Sequence, residues 1–342
     1  MRVRPGRIIL SLLALVVFAA ILVISRIGWQ VVLGPKARPV TDRPFERTAA
    51  RLARGKYLTE GPAPCFHCHT DHDLSTPEYP IVRARKGAGW SLPIPELGVL
   101  PAPNLTPDPG TGLGNWSDDE IARAIREGVG RGNRALFPVM PYLDYASLDD
   151  EDVAAIVVYL RTLAPVRSSL PVRALPFPLE YIVKTIPRPI TAPQPSHPAA
   201  TPVERGKYLV TMAGCQTCHT ATDQRGVPVA GLDFGGGGLF HDPGRNLQPV
   251  FSANITQDPS GIPHYDEALF VQTLRSGKVS TRTLVHIMPF EFFANITDDD
   301  LRDIYTFVKS VPAVKHRVSN TDPPTPCPVC NQTHGLGNLN QK

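Results

Sequence analysis

The sequence predicts a mainly α-helical protein in which two similar helical domains follow an N-terminal transmembrane helix. Three observations lead to this fold class: an apolar N-terminal segment, an internal repeat, and helical apolar patterns at equivalent places in both repeats. The chain has 342 residues, enough for two domains of ordinary size. The net charge of +4 is small, and without a basic stripe or recognition motif it gives no case for nucleic-acid binding.

The N-terminus has the composition of a membrane anchor. Three arginines within the first seven residues precede an apolar run at 8–24, which as a helix would be about 26 Å long. We therefore predict a basic cytoplasmic N-terminus at 1–7 and a transmembrane anchor at 8–33, with the remainder exported. A cleaved signal peptide is the alternative, although the apolar run is longer than a usual signal core and no clear cleavage site follows it.

Two copies of one module account for most of the remaining chain. The copies, predicted at 44–166 and 200–315, share an Arg-Gly-Lys-Tyr-Leu segment and an Asn-x-Thr-x-Asp-Pro segment that begins at Asn104 or Asn254. Each ends with a Met-Pro-aromatic segment followed by an apolar helical stripe. The segment between them, 167–199, is rich in proline and is predicted to be a semi-rigid linker.

A glycine interrupts the first predicted helix of each module. Gly55 and Gly206 each cost about 1 kcal/mol relative to alanine in a helix interior. We expect close packing to compensate, against the last helix of the same module, which carries Tyr159 or Phe307.

Each module also contains one Cys-x-x-Cys-His motif, the pattern that attaches a c-type haem. In this pattern two thiols bond covalently to the porphyrin and the histidine binds the iron. A zinc knuckle and a thioredoxin-like dithiol are the alternatives, and the second would need a βαβ context that the sequence lacks. We therefore predict two covalently attached haem c groups. The motif residues are Cys65, Cys68 and His69 in the first module, and Cys215, Cys218 and His219 in the second.

Met140 and Met288 are the predicted second iron ligands. They follow the motif histidines by 71 and 69 residues, and each precedes a proline and an aromatic residue. A residue before proline favours extended geometry, which suits a loop that presents its side chain to a haem face. A thioether opposite the histidine raises the iron's potential. His286 is an alternative ligand in the second module, whereas Met212 is predicted to pack in the core.

The remaining segments rich in glycine and proline, 71–103 and 221–253, are predicted to be loops around the cofactors. Several histidines, among them His67 and His316, have no counterpart in the other module. We predict that they lie at the surface or at a haem edge.

The C-terminal tail, 316–342, is predicted to be loosely ordered and contains a third cysteine pair. Cys327 and Cys330 are followed by Asn331 where the haem motif has histidine. Outside the cytoplasm a short disulfide is the simpler expectation for such a pair. A metal site that includes His334 and a degenerate third haem site are the alternatives.

These motifs resemble the class I cytochrome c family in tandem, over about 240 residues in two blocks. They look closest to the cytochrome subunits of membrane-bound bacterial dehydrogenases. The resemblance implies a single-pass protein of the bacterial inner membrane, with its soluble domains in the periplasm. It would relay single electrons between a periplasmic dehydrogenase and a respiratory acceptor, with no catalytic residues of its own. Such relatives often carry three haems, whereas this chain has two full motifs.

Two other functions remain open at this point. A dihaem redox enzyme, such as a peroxidase or a thiosulfate dehydrogenase, would need an open iron coordination site, which two methionine ligands would close. A haem-bearing sensor or assembly protein would need no electron flux.

Overall fold

The fold is mainly α-helical, as the sequence predicts. The structure, a computed structural model, describes residues 5–94, 97–196, 201–223 and 226–335. Arg2 and Arg4 of the predicted basic N-terminus and residues 336–342 of the predicted tail lie outside these ranges. The chain divides into two compact units: residues 1–44, 116–146 and 174–193 form the first, and residues 45–115, 147–173 and 194–342 form the second.

The first unit begins with a long apolar helix, Pro5–Ile27. Its stretch Ile9–Ile27 is long and apolar enough to cross a membrane. The apolar side chains are exposed around the helix, Leu10 to 69% of its surface, as a lipid-facing helix requires. The other elements of this unit are the helices Gln30–Leu33, Asp118–Glu127, Tyr142–Tyr145 and Leu179–Ile182, the 3₁₀ turns Arg131–Asn133 and Val183–Thr185, and the paired strands Val129–Gly130 and Arg134–Ala135.

Ion pairs fix the segment that follows the apolar helix. The guanidinium of Arg38 pairs with Asp119 at 2.6 Å and with Glu127 at 2.8 Å, and both carboxylates are buried. The backbone N–H of Thr41 donates to the same Asp119 carboxylate at 2.7 Å. The chain after the apolar helix is therefore attached to the Asp118–Glu127 helix by charge-assisted hydrogen bonds.

The second unit contains two helix pairs, one from each module. Ala49–Glu60 packs against Asp150–Leu160, and Pro202–Met212 packs against Asp298–Ser310. The other helices of this unit are Cys65–Cys68, Cys215–Cys218, Glu267–Ser276 and Phe290–Phe293, with 3₁₀ turns at Arg83–Arg85 and Pro243–Arg245. Its strands are Trp90–Ile94, Gly98–Ala102, Leu239–Asp242, Gln248–Phe251, Lys278–Val279, Arg282–Thr283, Thr325–Pro326 and Thr333–His334.

Glycine allows the two helices of each pair to cross in contact, and this confirms the expectation from the sequence. A Cβ atom built on Gly55 would overlap the carbonyl oxygen of Ala155 and lie 2.9 Å from the Cβ of Tyr159. A Cβ built on Gly206 would overlap the carbonyl oxygen of Asp303 in the same way. The packing of backbone on backbone offsets the helix propensity that glycine loses.

The two helix pairs exchange a reciprocal set of hydrogen bonds. The hydroxyl of Tyr57, on the first helix of module one, donates to Asp300 on the last helix of module two. The hydroxyl of Tyr208, at the equivalent repeat position, donates to Asp152 at 2.8 Å. Burial and the Asp300 carboxylate raise the pKa of Tyr57 to about 12, so this hydroxyl stays a donor at neutral pH. Each tyrosine hydroxyl also accepts a hydrogen bond from a backbone N–H group. Thr297 donates to Tyr57 at 3.4 Å, and Asp149 donates to Tyr208 at 3.2 Å.

The segments predicted as loops around the cofactors each contain a short antiparallel hairpin. Trp90–Ile94 pairs with Gly98–Ala102, and Leu239–Asp242 pairs with Gln248–Phe251. The sequence does not predict these strands because they are short and three contain proline, which interrupts the alternating pattern and is tolerated only at sheet edges. Each hairpin has two strands, so proline at an edge costs little.

The C-terminal segment is folded over its described part, where the sequence predicts a loosely ordered tail. Thr325–Pro326 pairs with Thr333–His334, and the side chains of His316, Cys330 and His334 are buried.

The glycine crossing yields a first prediction. Gly55→Ala or Gly206→Ala forces a methyl group into a backbone carbonyl. We expect the free energy of unfolding to fall, because overpacking costs about 1–3 kcal/mol and exceeds the helix-propensity gain of about 1 kcal/mol. The measurement is chemical unfolding of the full chain in detergent, followed by circular dichroism. Gly110→Ala is the matched control, since its Cβ would meet no atom closer than 3.6 Å. Equal stability of all three variants would contradict the crossing.

A second prediction concerns the reciprocal hydrogen bonds. Tyr208→Phe removes a donor to the buried Asp152 carboxylate and an acceptor for Asp149. We expect a loss of about 1–3 kcal/mol in unfolding free energy, and a smaller loss for Tyr57→Phe, because Asp300 is only partly buried. Tyr181→Phe makes the same chemical change at an exposed position and should stay within about 0.5 kcal/mol of wild type. If Tyr208→Phe behaves like this control, the contact contributes nothing to stability.

Candidate cofactor sites

Each Cys-x-x-Cys-His motif forms one helical turn a few residues after the first helix of its module. The turns are Cys65–Cys68 and Cys215–Cys218. The backbone N–H of His69 donates to Cys65 O at 3.0 Å, and that of His219 donates to Cys215 O at 2.8 Å. Because the turn is helical, both cysteines and the following histidine have the same arrangement in the two modules.

The two motif histidines are oriented by equivalent hydrogen bonds. Nδ1 of His69 donates to Pro103 O at 2.7 Å, and Nδ1 of His219 donates to Ala253 O at 2.7 Å. Nε2 of each ring is then the unprotonated nitrogen, the one that binds a metal. Burial lowers the pKa of both histidines and favours this neutral form. The donor set of each motif fits a covalently attached haem.

A buried asparagine fixes the loop that supplies each of these carbonyl groups. Asn104 Oδ1 accepts from Thr106 N at 2.9 Å, and its Nδ2 donates to Val166 O at 2.7 Å, beyond the last helix. The asparagine side chain therefore ties this loop to the chain that follows the last helix. The second module repeats both contacts with Asn254, Thr256 and Val314, at 2.9 and 2.8 Å.

A glycine in the left-handed region closes each loop onto its motif. The N–H of Gly89 donates to His69 O at 3.0 Å, and the N–H of Gly236 donates to His219 O at 2.7 Å. Their φ angles are +89° and +75°, a conformation that residues with a Cβ rarely adopt.

The two candidate ligand methionines occupy matching turns. The N–H of Tyr142 donates to Met140 O at 2.8 Å, and the N–H of Phe290 donates to Met288 O at 2.8 Å. Both methionine side chains are partly buried. Met140 belongs to the first compact unit, and Met288 belongs to the second together with both motif histidines. Met212 is 1% exposed within the core, as predicted.

Within the second unit, the first motif adjoins the segment that carries Met288. The ring of His67 lies beside the backbone of Ile287 and 6.2 Å from the ring of Phe292. Nearby, Arg83 pairs with Glu291 at 2.7 Å. Burial, followed by the neighbouring His72, lowers the pKa of His67 to about 3, so the ring between the two segments carries no charge at neutral pH.

The third cysteine pair lies in a cluster that the sequence predicts only in part. Cys327, Cys330 and His334 are joined by His316, and the ligand atoms of all four lie within 4.8 Å of one another. His316 is predicted to lie at the surface or at a haem edge, and the surface position is wrong, because its side chain is 1% exposed and lies among these ligand atoms. It has no counterpart in the first module and lies outside the compact Cys-x-x-Cys pattern, so no local signal pairs it with the cysteines.

Comparison with known proteins finds relatives among the cytochrome subunits of dehydrogenases. One subunit of the nicotinate dehydrogenase of Pseudomonas putida is 30% identical over 63% of this chain and 17% of its own length. The fructose dehydrogenase cytochrome subunit of Gluconobacter japonicus is 29% identical over 81% of this chain and 56% of its own. A dihaem c-type cytochrome of Cereibacter sphaeroides is 26% identical over 81% of this chain and 92% of its own. The chain thus spans 17% of the length of the nicotinate dehydrogenase subunit and about half of the length of the fructose dehydrogenase cytochrome subunit.

The cytochrome c family model matches the chain twice, at residues 52–164 and 203–312. Each match contains one Cys-x-x-Cys-His motif and one histidine oriented by a backbone carbonyl. Two such domains mean two c-type haems and a role in electron transfer. The chain belongs to the cytochrome c family.

Proposed function

We propose that this chain is a membrane-anchored dihaem cytochrome subunit that accepts single electrons from a dehydrogenase and passes them to the respiratory chain. The observation that carries this proposal is the duplicated histidine geometry. In both motifs Nδ1 of the histidine donates to a backbone carbonyl oxygen, and Nε2 is left free to bind an iron. The chain itself would carry electrons and would not oxidise the substrate.

Four cysteines and four axial ligands would hold the cofactors. When bound, each haem c supplies an iron centre that gains and loses one electron at a time. The protein supplies the neutral histidine, the soft thioether and the buried surroundings that set the iron's potential. The proposed covalent attachment uses Cys65 and Cys68 in one module and Cys215 and Cys218 in the other. The proposed axial pairs are His69 with Met140, and His219 with Met288.

The contact between the first motif and the Met288 segment supports electron transfer within the chain. Electron-transfer rates fall steeply with distance, so two sites that share a contact exchange electrons efficiently. The uncharged ring of His67 lies against Ile287, next to the proposed ligand. A charged group at this place would favour one redox state of the neighbouring iron, and a neutral ring avoids that bias.

The proposed topology is a single helix in the inner membrane, with both domains in the periplasm. The helix Pro5–Ile27 has the length and apolar surface that such an anchor needs. Arginines before the apolar run favour a cytoplasmic N-terminus. Attachment of c-type haem outside the bacterial cytoplasm agrees with this orientation.

The names of the relatives suggest the class of donor. They include cytochrome subunits of fructose, gluconate and quinone-linked alcohol dehydrogenases, and one subunit of a nicotinate dehydrogenase. We infer that the electron donor of this chain is a periplasmic dehydrogenase of the same general type. The specific substrate follows from the dehydrogenase and not from the cytochrome.

This proposal predicts co-purification with a dehydrogenase. The tagged full chain, extracted from its native membranes in mild detergent, should carry a dehydrogenase whose substrate reduces both haems under anaerobic conditions. The measurement is the ferrous absorbance after addition of alcohol, fructose, gluconate or nicotinate, one at a time. Oxygen or an oxidised respiratory acceptor should then reoxidise the haems.

Two outcomes would overturn the relay. One is a pure chain with a high-spin ferric haem that turns over peroxide or thiosulfate unaided. The other is a chain that stays oxidised with every substrate and brings no dehydrogenase with it.

The ligand assignment yields a further prediction. Met140→Leu and Met288→Leu remove the thioether at nearly constant volume, so each should lower the potential of one haem and leave its iron open to added ligands. Redox titration and the ferric sulfur-to-iron charge-transfer band measure the two effects.

Met212→Leu is the matched control. Met212 is buried in the core, so this substitution should leave both haems unchanged. His286→Gln tests the alternative ligand and should likewise have no effect on the second haem. A spectral change in His286→Gln with none in Met288→Leu would show that His286, and not Met288, is the second ligand of that iron.

A further inference from the structure

Four metal-ligating side chains converge beneath the C-terminal hairpin. Sγ of Cys330 lies 3.0 Å from Nε2 of His334, and that nitrogen lies 3.2 Å from Nε2 of His316. Together with Sγ of Cys327, all four atoms fall within 4.8 Å of one another. Three of these residues are buried, with His316 1% exposed, and Cys327 is partly buried.

Local backbone structure builds three of the four ligands into one turn. The N–H of Cys327 donates to Gln332 O at 2.7 Å, and the N–H of Asn331 donates to Cys327 O at 3.0 Å. The turn returns the chain so that His334, on the second strand, faces the cysteine pair. Cys-x-x-Cys followed four residues later by histidine is a compact ligand spacing of the kind found in zinc sites.

The fourth ligand comes from the chain that leaves the last helix. Nδ1 of His316 donates to Gly235 O at 2.9 Å, which leaves Nε2 as the unprotonated nitrogen that faces the cluster. Gly237 makes room for both rings, because a Cβ there would lie 2.9 Å from Cε1 of His316 and 3.3 Å from Cε1 of His334. The site therefore has both the orienting hydrogen bond and the space that a ligand histidine needs.

An apolar shell surrounds the four ligands. The ring of Phe251 meets the ring of His334 edge-on at 4.9 Å, and Ala221, Leu232 and Cys330 form a buried cluster. Outside this shell, Gln332 donates to Thr222 O at 2.7 Å and fixes the hairpin to the second module. Exclusion of water strengthens the bonds between thiolate and metal.

We propose that His316, Cys327, Cys330 and His334 bind one zinc ion, which fastens the C-terminal tail to the second cytochrome domain. Zinc takes four sulfur and nitrogen ligands in a tetrahedron, with bonds of about 2.3 and 2.0–2.1 Å, so neighbouring ligand atoms are about 3.3–3.8 Å apart. The separations of 3.0 and 3.2 Å are a few tenths of an ångström shorter than this, and the outer limit of 4.8 Å is about 1 Å longer, so small side-chain movements would bring the four atoms to tetrahedral positions. This inference is independent of the electron donor and acceptor.

The two other uses of this ligand set fit the structure less well. A disulfide would use the two thiols alone and would give no reason for two buried histidines to meet them. A Rieske iron–sulfur cluster binds its two cysteines and two histidines on different irons. The direct contact between Cys330 and His334 places sulfur and nitrogen too close for that arrangement.

The site is continuous with the loop that orients the second haem histidine. His316 O accepts from Asn254 Nδ2 at 3.1 Å, and His316 N donates to Ser260 Oγ at 3.1 Å. The residue before Asn254 is Ala253, whose carbonyl accepts from His219. Zinc has no redox chemistry of its own, so its role here is structural.

Elemental analysis of the full chain, purified in detergent without chelators through a histidine-free tag, tests the proposal. We expect one zinc beside two haem irons per chain. Cys330→Ser and His316→Gln should each lose the zinc. His264→Gln, which changes an exposed histidine, should keep it. Retention of both haem spectra in every variant shows that the second domain is still folded.

Thiol titration of the wild-type chain provides a second measurement that does not depend on variants. Four of the six cysteines are used by the two haems, so Cys327 and Cys330 are the remaining thiols. We expect both to be unreactive until a chelator releases one zinc, and then to react together. Two thiols reactive from the start with no zinc present would overturn the proposal. Thiols that appear only after reduction would establish a disulfide and overturn it equally.

Discussion

The close crossing of the first and last helices in each module is the contact on which the rest of the structure depends. It requires a residue without a side chain, because the neighbouring backbone occupies the place of a Cβ at Gly55 and at Gly206. The haem motif begins a few residues after the first helix, and the Asn104 and Asn254 amides tie the carbonyl-bearing loop to the chain that leaves the last helix. The crossing thus positions both partners of the hydrogen bond that orients each motif histidine: the histidine itself and the loop carbonyl group that accepts from it.

Duplication of the module also duplicates the contact between modules. Tyr57 and Tyr208 stand at one repeat position, Asp152 and Asp300 at another, and each tyrosine reaches the aspartate of the other copy. The same surface patch of each module therefore contacts its counterpart on the other module, as in a twofold dimer whose two subunits have been joined into one chain. A relay of two haems needs a constant distance between its sites, and a self-complementary contact provides this without a dedicated third element.

The sequence alone predicts the features that depend on local chemistry. The Cys-x-x-Cys-His motifs, the packing role of Gly55 and the apolar N-terminal helix follow from residue type and spacing. The hairpins do not, because proline breaks their alternation. The position of His316 beside Cys327 depends on how a distant loop closes, which no local pattern encodes. The contact of His67 with the Met288 segment likewise arises from the packing of one module on the other.

The two cofactor sites have the same proposed ligand types and differ in their surroundings. In the first module, Lys86 and Glu60 form a charged network with the Tyr159 hydroxyl, and the Lys86 ammonium lies 4.7 Å above the ring of Phe66 inside the haem motif. In the second, the residue equivalent to Tyr159 is Phe307, whose ring meets Phe234 edge-on at 6.0 Å. Charge and polarity near a haem set its potential. With the proposed axial ligands the same in both modules, we expect these surroundings to give the two irons different potentials, and such a difference would give electron flow along the chain a direction.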